Sequence, residues 1–220
     1  MLLTGPPTPA TDRSVLQHAG RVARRIVDAA PWRIALARTA DELEAVFRLR
    51  YRVVIERGWA RPEDLPDGRE WDAWDYRALQ SAAWEGGTLV GATRIVLPLP
   101  GERFSVEEAF DLAVEPAGSV VELGRTCVDR RLAASRGRLF AALVSFAWLA
   151  LRAHGFSAAC GAFHPAVQRL YELSGIEVIR LGPSQVHLDE ERFPVLVRPT
   201  MRSFEKRYWY LPIPGRRGRE

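Results

Sequence analysis

The sequence is poor in the residues that build metal sites and crosslinks. It holds two cysteines, Cys127 and Cys160, and four scattered histidines in 220 residues. Neither cysteine sits in a CxxC or Cys/His cluster, so no metal centre and no disulfide framework is expected, and both thiols are expected to be reduced. Lysine is almost absent: Lys206 is the only one. No apolar run is long enough to span a membrane. The longest, 139–151, falls short of the roughly 20 residues a span needs, is broken by Ser145, and reads as a buried core helix. The N-terminus has neither a basic nor an apolar leader segment. A cytoplasmic location without a stable membrane anchor is therefore expected. Basic and aromatic residues are not interleaved as nucleic-acid binding requires, which excludes that partner class.

What is present is an ordinary globular balance, 47% apolar and 26% charged, with a net charge of +4 carried almost wholly by arginine. The length suits one domain with a full core. Besides nucleic acid, a basic surface of this kind can receive a membrane or an acidic protein such as acyl carrier protein. Residues 12–29 show helical spacing in Val15, Ala19, Val22 and Ile26, and 33–38 read as a strand. Thr39 with Glu42 forms a capping box that opens a helix ending near Gly58. A Pro/Asp/Gly-rich loop covers 60–70. A hairpin follows, 77–84 and 88–97, turning at Gly86-Gly87. Strand 119–128, helix 138–154, strand 157–163, a helix from Pro165 to Gly175, and strands 176–181 and 193–201 complete the chain. The order predicts a mixed α/β sheet.

Three clusters carry chemistry. Arg50, Trp59 and the stretch Glu70-Trp71-Asp72-Ala73-Trp74-Asp75 set carboxylates among aromatic rings. This suits either a solvated turn with tryptophans over the core or a site for a cationic substrate. Arg94 lies in the apolar strand Val90-Gly91-Ala92-Thr93-Arg94-Ile95-Val96, on the face of Ala92 and Val96. A buried arginine there needs a carboxylate, and Asp72 or Asp75 would serve. In Glu122-Leu123-Gly124-Arg125, alternation puts Glu122 and Gly124 on one face and Arg125 on the other, unless the strand bulges at the glycine. A desolvated Glu122 has the properties of a general base, though an edge-strand ion pair is the plainer use of these residues.

Taken in order, Phe47-Arg48-Leu49-Arg50-Tyr51-Arg52-Val53-Val54, Trp59, Glu70-x-Asp72-x-x-Asp75, Arg94, Phe110 and Glu122-x-x-Arg125 resemble the signature of the acyl-homoserine-lactone (autoinducer) synthases. Pro165-Ala166-Val167-Gln168-Arg169 and Arg180-Leu181-Gly182-Pro183-Ser184 extend the likeness, from about residue 33 to 200. The resemblance implies an α/β, single-domain GNAT-like fold: a mixed, mostly antiparallel central sheet flanked by helices. It implies an N-terminal extension (1–32) with one amphipathic helix, an acyltransferase domain (33–204) and a tail (205–220). It also implies an acyltransferase that makes an acyl-homoserine lactone, a quorum-sensing signal, from an acyl thioester and S-adenosylmethionine. The donor would be acyl carrier protein or acyl-CoA, and no other cofactor and no metal would take part. N-acyl amino acid synthases share the fold and form the alternative, followed by a non-catalytic acyl-carrier-binding homologue. Val54 stands where the family usually has phenylalanine, the step to Trp59 looks one residue short, and Gly161 stands near a threonine found in members that handle 3-oxo chains.

In that frame Glu122 and Arg125 are the expected catalytic residues, with Glu122 acting as base through a water and backbone N–H groups near 124–126 meeting the oxyanion. Arg50, Trp59, Asp72, Asp75 and Arg94 would hold the amine. Phe110, Phe146 and Trp148, with Phe140, are expected to line the acyl pocket; plain core packing is the other use of those rings. Arg136-Gly137-Arg138 opens a helix and could meet a phosphate, together with Arg130 and Arg131.

Overall fold

A computed structural model describes residues 3–4, 12–187 and 190–204. The expected tail at 205–220 lies outside these residues, as do residues 1–2 and 5–11 of the expected N-terminal extension. The elements are β1 (Leu3–Thr4), α1 (Arg13–Asp28), β2 (Arg33–Leu36), α2 (Ala40–Arg57), β3 (Ala78–Glu85), β4 (Thr88–Val96), α3 (Ser105–Phe110), β5 (Leu112–Ala113), β6 (Val121–Val128), α4 (Arg136–Ala153), β7 (Ala159–Phe163), α5 (Pro165–Leu173), β8 (Glu177–Arg180), β9 (Gln185–His187) and β10 (Glu190–Arg198). Short 3-10 turns cover Pro62–Asp64, Ala73–Arg77 and Arg130–Ser135.

The main sheet runs β2-β3-β4-β6-β7-β10-β8, with β9 on β10; β1 and β5 form a separate pair. Every pairing in the main sheet is antiparallel except β6 with β7. That parallel ladder is only Val121↔Ala159 and Glu122↔Cys160. Past it the strands part, although a Cβ on Gly161 would still meet the Leu123 carbonyl oxygen at 2.6 Å. A side chain at 161 would therefore crowd the neck of the gap.

Local signals place the helices. Thr39 and Glu42 form the capping box of α2, and Gly58 ends it in the left-handed region at φ 69°, which glycine adopts without a Cβ penalty. Pro165 stands at the first turn of α5. The Gly86-Gly87 turn joins β3 to β4 with both glycines at positive φ. The helix α3 was not foreseen. Its six residues are too few to show a period, and the Glu107 carboxylate caps it by accepting from the Phe104 N–H at 2.8 Å.

The sheet separates two sets of helices. On one face Val46 and Leu49 of α2 pack on Ala82, Ala92 and Cys127, while Val106 and Phe110 of α3 pack on Val96, Cys160 and Leu196. On the other, α4 packs on Ile95 and Val121, with α1 (Ala19, Ala23) outside it and α5 (Leu170, Tyr171) beside it. Leu139 and Leu143 of α4 are fully buried, each contributing about 1.5–3 kcal/mol over an exposed position.

Candidate active site

The site is built where β6 breaks register. Opposite it, Ala92 pairs with Cys127 but Arg94 pairs with Gly124, so β6 carries an extra residue against β4. Arg125 takes φ 52° there. This is the bulge that the glycine hinted at, and it turns Arg125 onto the face of Arg94.

The result is a closed ring of alternating charge. Arg50 donates to Glu70 through Nε and grips Asp75 with both terminal nitrogens at 2.7 and 3.1 Å. Arg94 donates to Asp72 at 2.5 Å and to Asp75 at 3.3 Å. Arg125 closes the ring on Glu70 at 2.9 Å and Asp72 at 3.1 Å. Gln80 adds a bond to Asp75 at 2.7 Å. Asp72 also caps the turn Ala73–Arg77, accepting from the Trp74 N–H at 3.0 Å. Arg50 and Arg94 are 0% and 1% exposed, and such burial is tolerable only because each guanidinium is paired. Burial works to raise the Glu70 and Asp75 carboxyls. The guanidiniums of Arg125 and Arg50 outweigh it at Glu70, those of Arg50 and Arg94 outweigh it at Asp75, and both end below the usual range.

Three guanidiniums here face three carboxylates. Asp72 and Asp75 therefore have their charge balanced inside the ring. Glu70 is the member that the candidate residues omitted, although the Glu70-x-Asp72 spacing displayed it. Its partners stand far along the chain, and only the fold joins them.

Glu122 stands apart from the ring, on the α3 side of β6. Its carboxylate accepts from the Ser105 N–H at 2.8 Å and from the Ser105 hydroxyl. Burial raises its pKa; the Ser105 bonds and the charges of Arg94 and Arg125 oppose burial without cancelling it. Ser105 has no sequence signal of its own. Ser105→Ala removes one of the two opposing bonds, so the Glu122 carboxyl should rise further. A base acts when deprotonated, so the acid limb of kcat/KM against pH should move to higher pH. A profile that overlays the wild type would show that Ser105 does not act on this group.

Two joined cavities open where β6 and β7 part. One, of about 300 Å³, is walled by Val54, Trp59, Glu70, Arg125, Phe163 and Tyr171. The other, of about 430 Å³, is lined by Glu56, Arg57, Arg130, Arg136 and the largely buried Glu190. They share Trp59, Phe140, His164 and Arg192. Trp59 reaches both because α2 ends abruptly, its N–H returning to the Val54 carbonyl at 2.9 Å. Phe140 lines the cleft, as do Phe163 and Tyr171, which pack at 4.8 Å between ring centres.

The other expected acyl-pocket rings fall elsewhere. Phe110 is buried under α3 on the opposite face, 6.3 Å from the His187 ring. Phe146 packs at the edge of the core under α4, and Trp148 lines a small void behind the cleft with Leu123 and Tyr171. Alternation and helical spacing show that a ring turns inward without showing which side of the sheet receives it. Cys127 and Cys160 are buried and free; burial lifts the Cys127 thiol to about 11 and Cys160 well above its ordinary value. Among the described residues no cluster of His, Cys, Asp and Glu could hold a metal, and no helix is long and apolar enough to cross a membrane.

Residues 45–181 match the family model of the N-acyl amino acid synthase FeeM. The chain belongs to this family. Membership makes it an acyltransferase. Among solved structures, the CoA-dependent acyl-homoserine lactone synthase MesI is similar at 23% identity and TM-score 0.63, over 81% of this chain and 95% of that one. The CoA-dependent acyl-homoserine lactone synthase BjaI, solved with SAM and isopentyl-CoA, is similar at 24% identity and TM-score 0.56, over 77% and 79%. FeeM itself, an N-acyl amino acid synthase from uncultured soil microbes, matches at 16% identity and TM-score 0.51, over 76% and 88%. These likenesses establish the fold, which is the GNAT-like fold of the lactone synthases. No curated protein matches the sequence.

Proposed function

We propose that the protein transfers the acyl group of a thioester to the α-amine of a small amino-acid-like acceptor, and that S-adenosylmethionine is that acceptor, giving an acyl-homoserine lactone. The observation that carries the reaction class is the cleft lined by Leu123, Gly124 and Arg125, which opens where the β6–β7 ladder stops, one residue past Glu122. A thioester can lie in that gap with its carbonyl beside the backbone of the bulged strand, while the chain runs toward Phe140, Phe163 and Tyr171. Arg57, Arg130 and Arg136 at the rim suit the phosphate of the pantetheine arm that acyl-CoA and acyl carrier protein share.

Glu122, reached through a water, takes a proton from the ammonium. The freed amine attacks the thioester carbonyl, and the tetrahedral oxyanion collapses to the amide as the thiolate leaves and takes up the second proton of the amine to become the thiol. With S-adenosylmethionine the acceptor carboxylate then attacks the carbon bonded to sulfur, closes the lactone and releases methylthioadenosine. Positioning supplies much of the rate, because the charge ring holds the wall of the site rigid. A free amino acid is the second reading. Two observations favour it: the matching family model is that of an N-acyl amino acid synthase, and the balanced ring leaves Asp72 and Asp75 no surplus charge for a sulfonium.

The test incubates purified protein with medium- and long-chain acyl-CoA or acyl carrier protein, and with S-adenosylmethionine or mixed amino acids. Methylthioadenosine with an acyl-homoserine lactone is the expected result. Acyl amino acids without methylthioadenosine across the whole donor panel would overturn the lactone product and leave the acyltransferase. No amide with any donor would overturn both.

A further inference from the structure

At the junction of the two cavities stands an arginine that the charge ring does not use. Arg192 of β10 stands where the two cavities join and lines both. Its side chain is 13% exposed. Nε donates to the His187 carbonyl at 3.1 Å and one terminal nitrogen to Glu190 at 3.3 Å. The other terminal nitrogen, Nη1, makes no hydrogen bond among the described residues. The guanidinium lies 5.1 Å from the Trp59 ring centre, and the same ring carries Arg57 at 5.5 Å.

An α-amino acid brings a carboxylate into this cleft, and the carboxylate needs a donor. The ring cannot supply one. Arg50 and Arg94 are buried and paired; Arg125 keeps Nη1 but is fixed through Nε and Nη2 to Glu70 and Asp72, and an incoming anion there would meet three carboxylates already in place. Around Arg192 the balance is reversed. Burial disfavours the charged form of Arg192; Glu190 offsets this in part, the Arg125 charge adds to it, and Arg57 stands beside the shared Trp59. A carboxylate arriving there would relieve that crowding of positive charge.

We propose that Arg192 is the carboxylate anchor of the acceptor, binding the α-carboxylate of an amino-acid-like amine through Nη1 against the Trp59 wall. An α-amino acid carries its amine on the carbon next to the carboxylate. An anchor at the junction therefore sets the amine at the neck of the β6–β7 gap, where the thioester carbonyl must lie. The inference rests on the acyltransferase reading and holds for S-adenosylmethionine or a free amino acid alike.

The experiment compares wild type, Arg192→Met and Arg192→Lys in steady-state assays that follow thiol release from acyl-CoA. The acceptors are S-adenosylmethionine and its carboxamide, and the mixed amino acids and their amides. Arg192→Met should raise the acceptor KM by about 10- to 100-fold, the worth of hydrogen bonds to a charged group, and leave the donor KM unchanged. It should also lose the preference for the acid over the carboxamide, and Arg192→Lys should restore part of that preference. A rise in donor KM with the preference intact would overturn the proposal, since Arg192 would then hold the pantetheine phosphate. Wild type that uses the carboxamide as readily as the acid would overturn it while leaving the acyltransferase standing. Should Arg192→Met not fold, the same preference ratio measured on Arg192→Lys decides: an unchanged ratio overturns the anchor and a reduced one supports it.

Discussion

Arg50→Ala is expected to lower stability by about 3–5 kcal/mol, the cost of removing one partner from a buried ion pair. For a chain of this size that corresponds to a melting midpoint roughly 6–20 °C lower. Arg50 is 0% exposed and grips both Glu70 and Asp75, so alanine leaves two buried carboxylates short of a charge and opens a void beneath α2. Arg48 of the same helix is 61% exposed and pairs with Glu44. Arg48→Ala should stay within about 0.5 kcal/mol of wild type. The deficit of Arg50→Ala should also depend on pH. Glu70 and Asp75 are held below their ordinary values, so their contribution is full above about pH 5 and is lost as pH falls through their folded values. The gap between wild type and variant should therefore narrow in acid. A midpoint within a degree of wild type at neutral pH would show that the ring does not hold the fold.

Glu122→Gln should lower kcat by about 10²- to 10⁴-fold, the usual worth of a positioned general base, with little change in melting midpoint. The amide keeps an oxygen that can accept from Ser105, and it is neutral where burial already disfavours the charge. Stability and catalysis should thus separate at this position, whereas Arg50→Ala should cost both. Full activity in Glu122→Gln would remove Glu122 from the mechanism and leave positioning and the backbone donors as the source of rate. Kinetics with the donor and acceptor identified by the product assay, run beside a melt of the same preparation, measure both quantities.

Much of the fold was legible because its signals are local. Thr39 with Glu42, Gly58, Gly86-Gly87 and Pro165 each encode a cap or a turn within a few residues, and each stands where the spacing placed it. The pairing of Arg94 with Asp72 and Asp75 was legible for a different reason: a buried guanidinium has few solutions, and the nearby sequence offered two carboxylates. The aromatic residues were less legible. Phe110, Phe140, Phe146 and Trp148 all turn inward, yet Phe110 serves the α3 side and Phe140 the cleft, a choice made by which face each helix covers.

By itself the sequence determined the order of the long helices and main strands, the caps and turns between several of them, and the pool of charges that must be paired, since caps, turns and alternation act over neighbouring residues. Only the tertiary structure decided that β6 bulges against β4 and swings Arg125 to Glu70 and Asp72, that Ser105 holds Glu122, and that Arg192 reaches the cleft with one terminal nitrogen that makes no hydrogen bond among the described residues. These are contacts between residues 17 to 55 positions apart, from Ser105 to Glu122 and from Glu70 to Arg125. Their geometry is set by strand register and by the gap where the parallel ladder ends, which no local pattern encodes.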